Sequence, residues 1–169
     1  MPDKHAVLSA SSSHRWLACP PSALLCAKVG DTTSEFAMQG TDAHSLCEHK
    51  LKKSFGQKSK DPTEDLQYFD EEMADCSDMY AQYVMEQLTA AKEKCKDPIV
   101  LIEQHLDFSK WVPQGFGTGD CVIVADETLQ VIDFKYGVGI LVDAEKNPQM
   151  MCYALGALQL FEGIYDIDS

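Results

Sequence analysis

GTGDCVIVADETLQVIDFK, residues 117–135, is the stretch that decides the fold. Two apolar, β-branched runs flank the polar pair Asp126-Glu127, the pattern of a β-hairpin. With a loop of two or four residues the pairing sum is constant, so Val124 faces Leu129, Val122 faces Val131 and Asp120 faces Asp133. The two carboxylates then stand cross-strand, with Cβ atoms roughly 4.5 to 5.5 Å apart. Like charges so placed repel, and an otherwise apolar hairpin has little reason to keep them unless a cation lies between. Strand alternation sets Lys135 on the face of Asp133. Asp120, Asp133 and Lys135 therefore read as a divalent-metal site with a lysine beside it.

The segments around the hairpin supply further candidates. Ile99 to Phe108 reads as a strand with Glu103 on the face of Leu101 and His105, where an acid in apolar surroundings needs a partner or a metal. Upstream, a helix introduced by Gly40-Thr41, with Thr41 as N-cap, carries Ala43, Leu46, Cys47 and Leu51 on its apolar side. His44 and Glu48 sit on it one turn apart. Taken alone, His44 reads as a core or capping histidine and Glu48 as solvated. A long amphipathic helix follows from about Asp65 to Lys94, its stripe of Met73, Cys76, Tyr80, Tyr83, Val84, Leu88 and Ala91 packing on the sheet. Past Lys135 the glycines do not follow GxGxxG, which argues against a nucleotide loop, and Ile140-Leu141-Val142 reads as extended. Asn147-Pro148 opens a last helix, Gln149 to Phe161, with Gln149 and Tyr153 on one face.

Composition bounds these readings. At 169 residues the length is that of one domain. No apolar run approaches the roughly 18 residues of a membrane span, and the N-terminus lacks a signal-peptide core, so a soluble, cytoplasmic protein is expected. Seven cysteines without regular spacing fit reduced thiols, and Cys19 reads as a buried structural one. The net charge of −13 argues against general phosphate-backbone affinity. The one basic island is Lys50, Lys52, Lys53, Lys58 and Lys60, either a solvated surface or a local phosphate contact. Carboxylates with one imidazole suit Mg²⁺ or Mn²⁺ better than thiolate zinc. The residues alone thus lead to a metal-dependent hydrolase, with nucleases as one member of the class.

At this point the motifs resemble a family. Asp120, then Asp133-Phe134-Lys135, resembles the bipartite core of the PD-(D/E)XK nuclease superfamily. Gly40-Thr41-Asp42-Ala43-His44 is similar to the helix histidine of its RecB-like branch, and Gln149 to Tyr153 to that branch's QxxxY motif. A fuller match, from about His5 onward, is to RecB-like proteins of phage and prophage genomes, through SASSSHRWLACPPSA, GTDAH, GFGTGD, VIDFKYGVG and NPQMMCYALGAL. The resemblance implies a restriction-endonuclease-like αβββαβ core, a small mixed sheet flanked by helices, with the last strand lacking in a chain shorter than similar proteins. It implies DNA as substrate and Mg²⁺ or Mn²⁺ as cofactor, in a phage or prophage recombination or replication exonuclease of a bacterial host. It makes His44, Asp120, Asp133 and the Phe134 backbone carbonyl metal ligands and Asp120, Asp133 and Lys135 the catalytic set. Gln149 and Tyr153 then support substrate or site, and Glu103 and Glu48 stand at or just behind the metal. Some RecB-like nucleases hold an iron-sulfur cluster through one N-terminal and three C-terminal cysteines. Cys19 fits the first position, but no C-terminal triplet exists, so no cluster is expected. An open sheet edge would favour a homo-oligomer or a partner. The alternative is a non-catalytic nucleic-acid- or protein-binding module that keeps the nuclease fold.

Overall fold

A computed structural model describes residues 6–29, 34–137, 142–165 and 167. A 3₁₀ turn at Ala10–Ser12 leads into α1 (Ser13–Ala18) and α2 (Pro21–Val29). Two long helices follow, α3 (Glu35–Ser54) and α4 (Glu71–Lys94), then β1 (Ile99–Asp107), β2 (Phe116–Ala125), β3 (Thr128–Ile132) and α5 (Pro148–Phe161). The architecture is α/β. One face of the sheet carries α3 and α4 over Cys121, Ile123 and Ala125. The other carries α5 and the N-terminal turns over Val122, Val124, Leu106 and Phe108.

The sheet is an antiparallel meander in the order β1-β2-β3. A mixed sheet was expected; the described strands follow one another through short connections, which only antiparallel neighbours permit. Among the described residues no strand follows α5. The hairpin turns through Asp126-Glu127, with Glu127 at φ 65°, and pairs Val124 with Leu129 and Val122 with Val131, as its sequence requires.

Two helix boundaries differ from expectation. α3 begins at Glu35 because Ser34 caps it, its hydroxyl accepting from the Ala37 amide at 3.2 Å. Thr41 is an interior residue whose hydroxyl donates to the Ala37 carbonyl at 3.0 Å, so it cannot be the N-cap. α4 begins at Glu71, where Asp70 accepts from the Met73 amide at 2.7 Å, and Thr63–Asp65 forms a separate 3₁₀ turn. On α4 the buried stripe takes Ser77 and Ala81, while Tyr83 is exposed. The Ser77 hydroxyl, donating to the Met73 carbonyl at 2.6 Å, makes a polar residue tolerable in that core. Cys19 is exposed rather than buried, standing at the C-cap where the chain leaves α1; all seven cysteines are free of disulfides. The extended reading of Ile140-Leu141 lies outside the described residues. None of the described helices is long and apolar enough to cross a membrane.

α5 starts where the sequence places it. The Asn147 side chain accepts from the Gln149 and Met150 amides at 2.9 and 3.4 Å, and Pro148 occupies the first turn, where its missing N–H costs nothing. Asn147→Ala is expected to lower stability by about 1 kcal/mol, and Asn147→Asp to restore most of it, in urea unfolding followed by circular dichroism.

The most consequential departure lies in the middle of β1. Ile99 and Leu101 face the α5 side, but so do Leu106 and Phe108, so the alternation reverses between them. β2 reverses in the same place: a Cβ on Gly119 would meet Leu106 and Tyr153, on the side where Val122 and Val124 also lie. The register keeps its offset, running Ile102 to Cys121 and then Gln104 to Gly119, but the ladder skips the row of Glu103 and Asp120 between them. Both strands therefore swap faces at the single row Glu103 and Asp120. Glu103 takes φ 50°, the left-handed conformation that absorbs the swap at a cost on the order of 1–3 kcal/mol. Leu101 and His105 consequently lie on opposite faces, and Glu103 belongs to neither set, contrary to simple alternation.

Candidate metal centre

The face swap opens a seam in the sheet, and the candidate residues meet there. Asp120 stands in the swap row on β2, with Glu103 beside it on β1. The β2–β3 ladder ends at the pair Cys121–Ile132, and the next residue on each strand is Asp120 and Asp133. From α3, the His44 Nδ1 comes to 3.3 Å from Asp120 Oδ1. One nitrogen of His44 and one oxygen each of Glu103 and Asp120 lie within 4.8 Å of one another. The other oxygen of Asp120 accepts from the Phe134 amide at 2.7 Å.

Asp133 is gripped separately. Its side chain is 6% exposed; Oδ2 lies 2.5 Å from Lys135 Nζ, and Oδ1 accepts from Gln149 Nε2 at 3.0 Å. Gln149 Nε2 also lies 3.4 Å from the Tyr153 hydroxyl, so the first two turns of α5 buttress the site. Phe134 links the halves: its ring meets His44 edge-on at 5.7 Å and tilts against Tyr80 at 5.3 Å. Glu48, one turn beyond His44, is paired with Lys52 and lines the groove beside Glu103 rather than joining the cluster.

The electrostatics are those of a site short of positive charge. Burial pushes the Glu103 carboxyl up to about 7, with the charges of Asp120 and Glu48 adding to it. Burial also raises Asp133, and Asp120 adds to the rise, against the opposing pull of Lys135 and His44. For His44, burial disfavours the charge, but the hydrogen bond and charge of Asp120, with Asp133, outweigh it and raise the pKa. Burial pushes Tyr153 up to about 12, so its hydroxyl, which accepts from Gln149, stays protonated. Convergent oxygens, one imidazole and repelling carboxylates fit a hard divalent ion such as Mg²⁺ or Mn²⁺.

A pH test of the metal-free protein follows. The carboxyl of Glu103 titrates higher folded than unfolded, so between its ordinary value near 4.5 and about 7 the folded chain holds more protons. Stability therefore falls as pH rises through that window, and the loss is complete above it. Glu103→Gln is expected to raise the melting temperature in chelator at about pH 8 and to change it little at about pH 4.

Two features carried weaker sequence signals. The alternating glycines of GFGTGD make room for neighbouring side chains: a Cβ on Gly117 would lie 2.9 Å from the Tyr153 ring of α5, and one on Gly119 would lie 3.0 Å from Leu106 of β1. The amide of Phe134, which holds Asp120, has no side-chain signature. The basic island is largely spent within the fold. Lys50 reaches the Ala74 carbonyl at 2.6 Å and Asp78 at 2.8 Å, Lys52 pairs with Glu48, and Lys60 with Asp65 at 2.6 Å.

Fold and site together define an α/β protein with a histidine–carboxylate cluster at a seam in its sheet and an aspartate–lysine pair alongside. Residues 5–169 match the family described as "Protein of unknown function (DUF2800)", and the chain belongs to that family. No solved structure matches it.

Proposed function

We propose that this chain is a divalent-metal-dependent DNA nuclease of the PD-(D/E)XK superfamily, RecB-like branch, cleaving phosphodiester bonds as a phage or prophage recombination or replication exonuclease. The observation that carries this reading is the meeting of His44, Glu103 and Asp120 within 4.8 Å, beside a lysine 2.5 Å from Asp133. In this reading α3, β1, β2, β3 and α5 are the αβββα part of the αβββαβ core. His44, Asp120, Asp133 and the Phe134 carbonyl would hold Mg²⁺ or Mn²⁺, with Glu103 as a further carboxylate. A bound ion would supply Lewis-acid chemistry to the phosphate and a lowered pKa to water. Lys135 sets a positive charge against the negative charge that builds on the phosphate oxygens. Gln149 fixes the rotamer of Asp133, and the neutral Tyr153 hydroxyl steadies Gln149.

The test is cleavage of labelled DNA with Mn²⁺ together with calorimetric Mn²⁺ titration. Cleavage should vanish in chelator, return with excess Mn²⁺, and be absent in folded Asp133→Ala. A folded sample that binds no Mn²⁺ sinks the reading in favour of a non-catalytic binding module, which the −13 charge and the internally paired lysines would then explain.

A further inference from the structure

The far half of the β1–β2 hairpin does something that the metal site does not require. Beyond the face swap, Leu106 and Phe108 point inward, so His105 is turned outward. The His105 and Phe116 rings lie 5.2 Å apart at 44°. His105, Phe116 and Thr118 line a groove of about 900 Å³ together with Ser9, Ala10 and Ser11 of the N-terminal turn. That turn is itself braced, with Ser9 and Ser12 hydroxyls 2.8 Å apart and Trp16 Nε1 donating to the Ser9 carbonyl at 2.9 Å. Glu103 and Tyr153 also line this groove, so it runs into the seam that holds the candidate metal centre.

The lining chemistry limits what can lie there. Among the described residues no Lys or Arg lines the groove, and Glu48 and Glu103 do. A duplex brings two phosphate tracks, which proteins meet with basic side chains. This groove offers rings and hydroxyls instead. Rings accept the face of any unstacked base, and hydroxyls can bond to base edges or sugars.

We propose that the groove is a binding site for an unpaired nucleic-acid strand, stacked on Phe116 and His105 and led by them toward Asp120. The inference rests on the nuclease reading for the direction of the strand, but the stacking site stands on the groove alone. It explains how a strongly acidic chain handles a polyanion: affinity comes from bases, and phosphate charge is met at the metal centre.

The experiment compares a labelled single strand with the same strand annealed to its complement, using wild type, Phe116→Ala and Phe116→Trp. Phe116 belongs to none of the buried core clusters, so its replacements should stay folded, as thermal melts will check. Expected are faster cleavage of the single strand, and an increase in KM of about tenfold or more in Phe116→Ala with kcat little changed. Phe116→Trp should keep the wild-type KM. Single-strand affinity should fall only weakly between about 50 and 200 mM salt. Preference for the duplex, a steep salt dependence, or an unchanged KM in folded Phe116→Ala would each overturn the proposal. If neither substrate is cleaved, the nuclease reading fails, and fluorescence anisotropy decides the groove separately. Phe116-dependent binding of the single strand then upholds it, and no such binding overturns it.

Discussion

In a folded Asp120→Asn protein, Mn²⁺ binding is expected to fall below detection in calorimetry and DNA cleavage to drop by on the order of 10³-fold or more. Asp120 is the residue on which the site converges. One oxygen faces His44 at 3.3 Å, the other accepts from the Phe134 amide at 2.7 Å, and its charge acts on both Glu103 and Asp133. Asparagine keeps the shape and an acceptor for Phe134, so no buried amide is orphaned. What goes is the negative charge, and with it the repulsion felt by Glu103 and Asp133. The metal-free variant should accordingly melt no lower than wild type. A loss of Mn²⁺ binding with retained or increased stability is the signature of a charge kept for a ligand. A variant that still binds Mn²⁺ and cleaves normally would remove Asp120 from the site.

Lys135→Met is expected to do something different: to leave Mn²⁺ affinity within about tenfold of wild type while cleavage falls roughly 10²–10⁴-fold. The Lys135 side chain is about half exposed, yet its ammonium lies 2.5 Å from the nearly buried Asp133. Methionine preserves length and apolar contact but leaves Asp133 with Gln149 as its hydrogen-bonding partner. An uncompensated buried carboxylate is costly, so the variant should melt lower than wild type in chelator and recover with Mn²⁺, which replaces the missing positive charge. Equal losses of binding and cleavage would assign Lys135 to holding the site together rather than to the chemical step.

Much of this was legible in the chain, and the reasons differ residue by residue. The pairing of Val122 with Val131 follows from a period of two and a two-residue turn, which are local rules that tertiary packing has no cause to break here. The start of α5 follows from Asn147-Pro148, a cap and a first-turn residue that act within one helical turn. Gly40-Thr41 looks like the start of α3, whereas Ser34 provides the capping bond from which the helix begins. The fate of the basic island was invisible because Lys50 pairs with Asp78, on a different helix.

The sequence by itself determined the hairpin, its register from Ala125–Thr128 to Cys121–Ile132, and the helix face shared by Gln149 and Tyr153, because each depends on spacing along one or two adjacent elements. Only the tertiary structure decided that Glu103 leaves the alternation at φ 50°, that both strands swap faces at its row, and that His44 reaches Asp120 through the seam so formed. A left-handed residue costs energy locally and has no signature in composition or periodicity. It persists because packing on both sides of the sheet over-determines it: Leu106 and Phe108 are held on one face, Val100 and Ile102 on the other, and the row between them is left to the carboxylates.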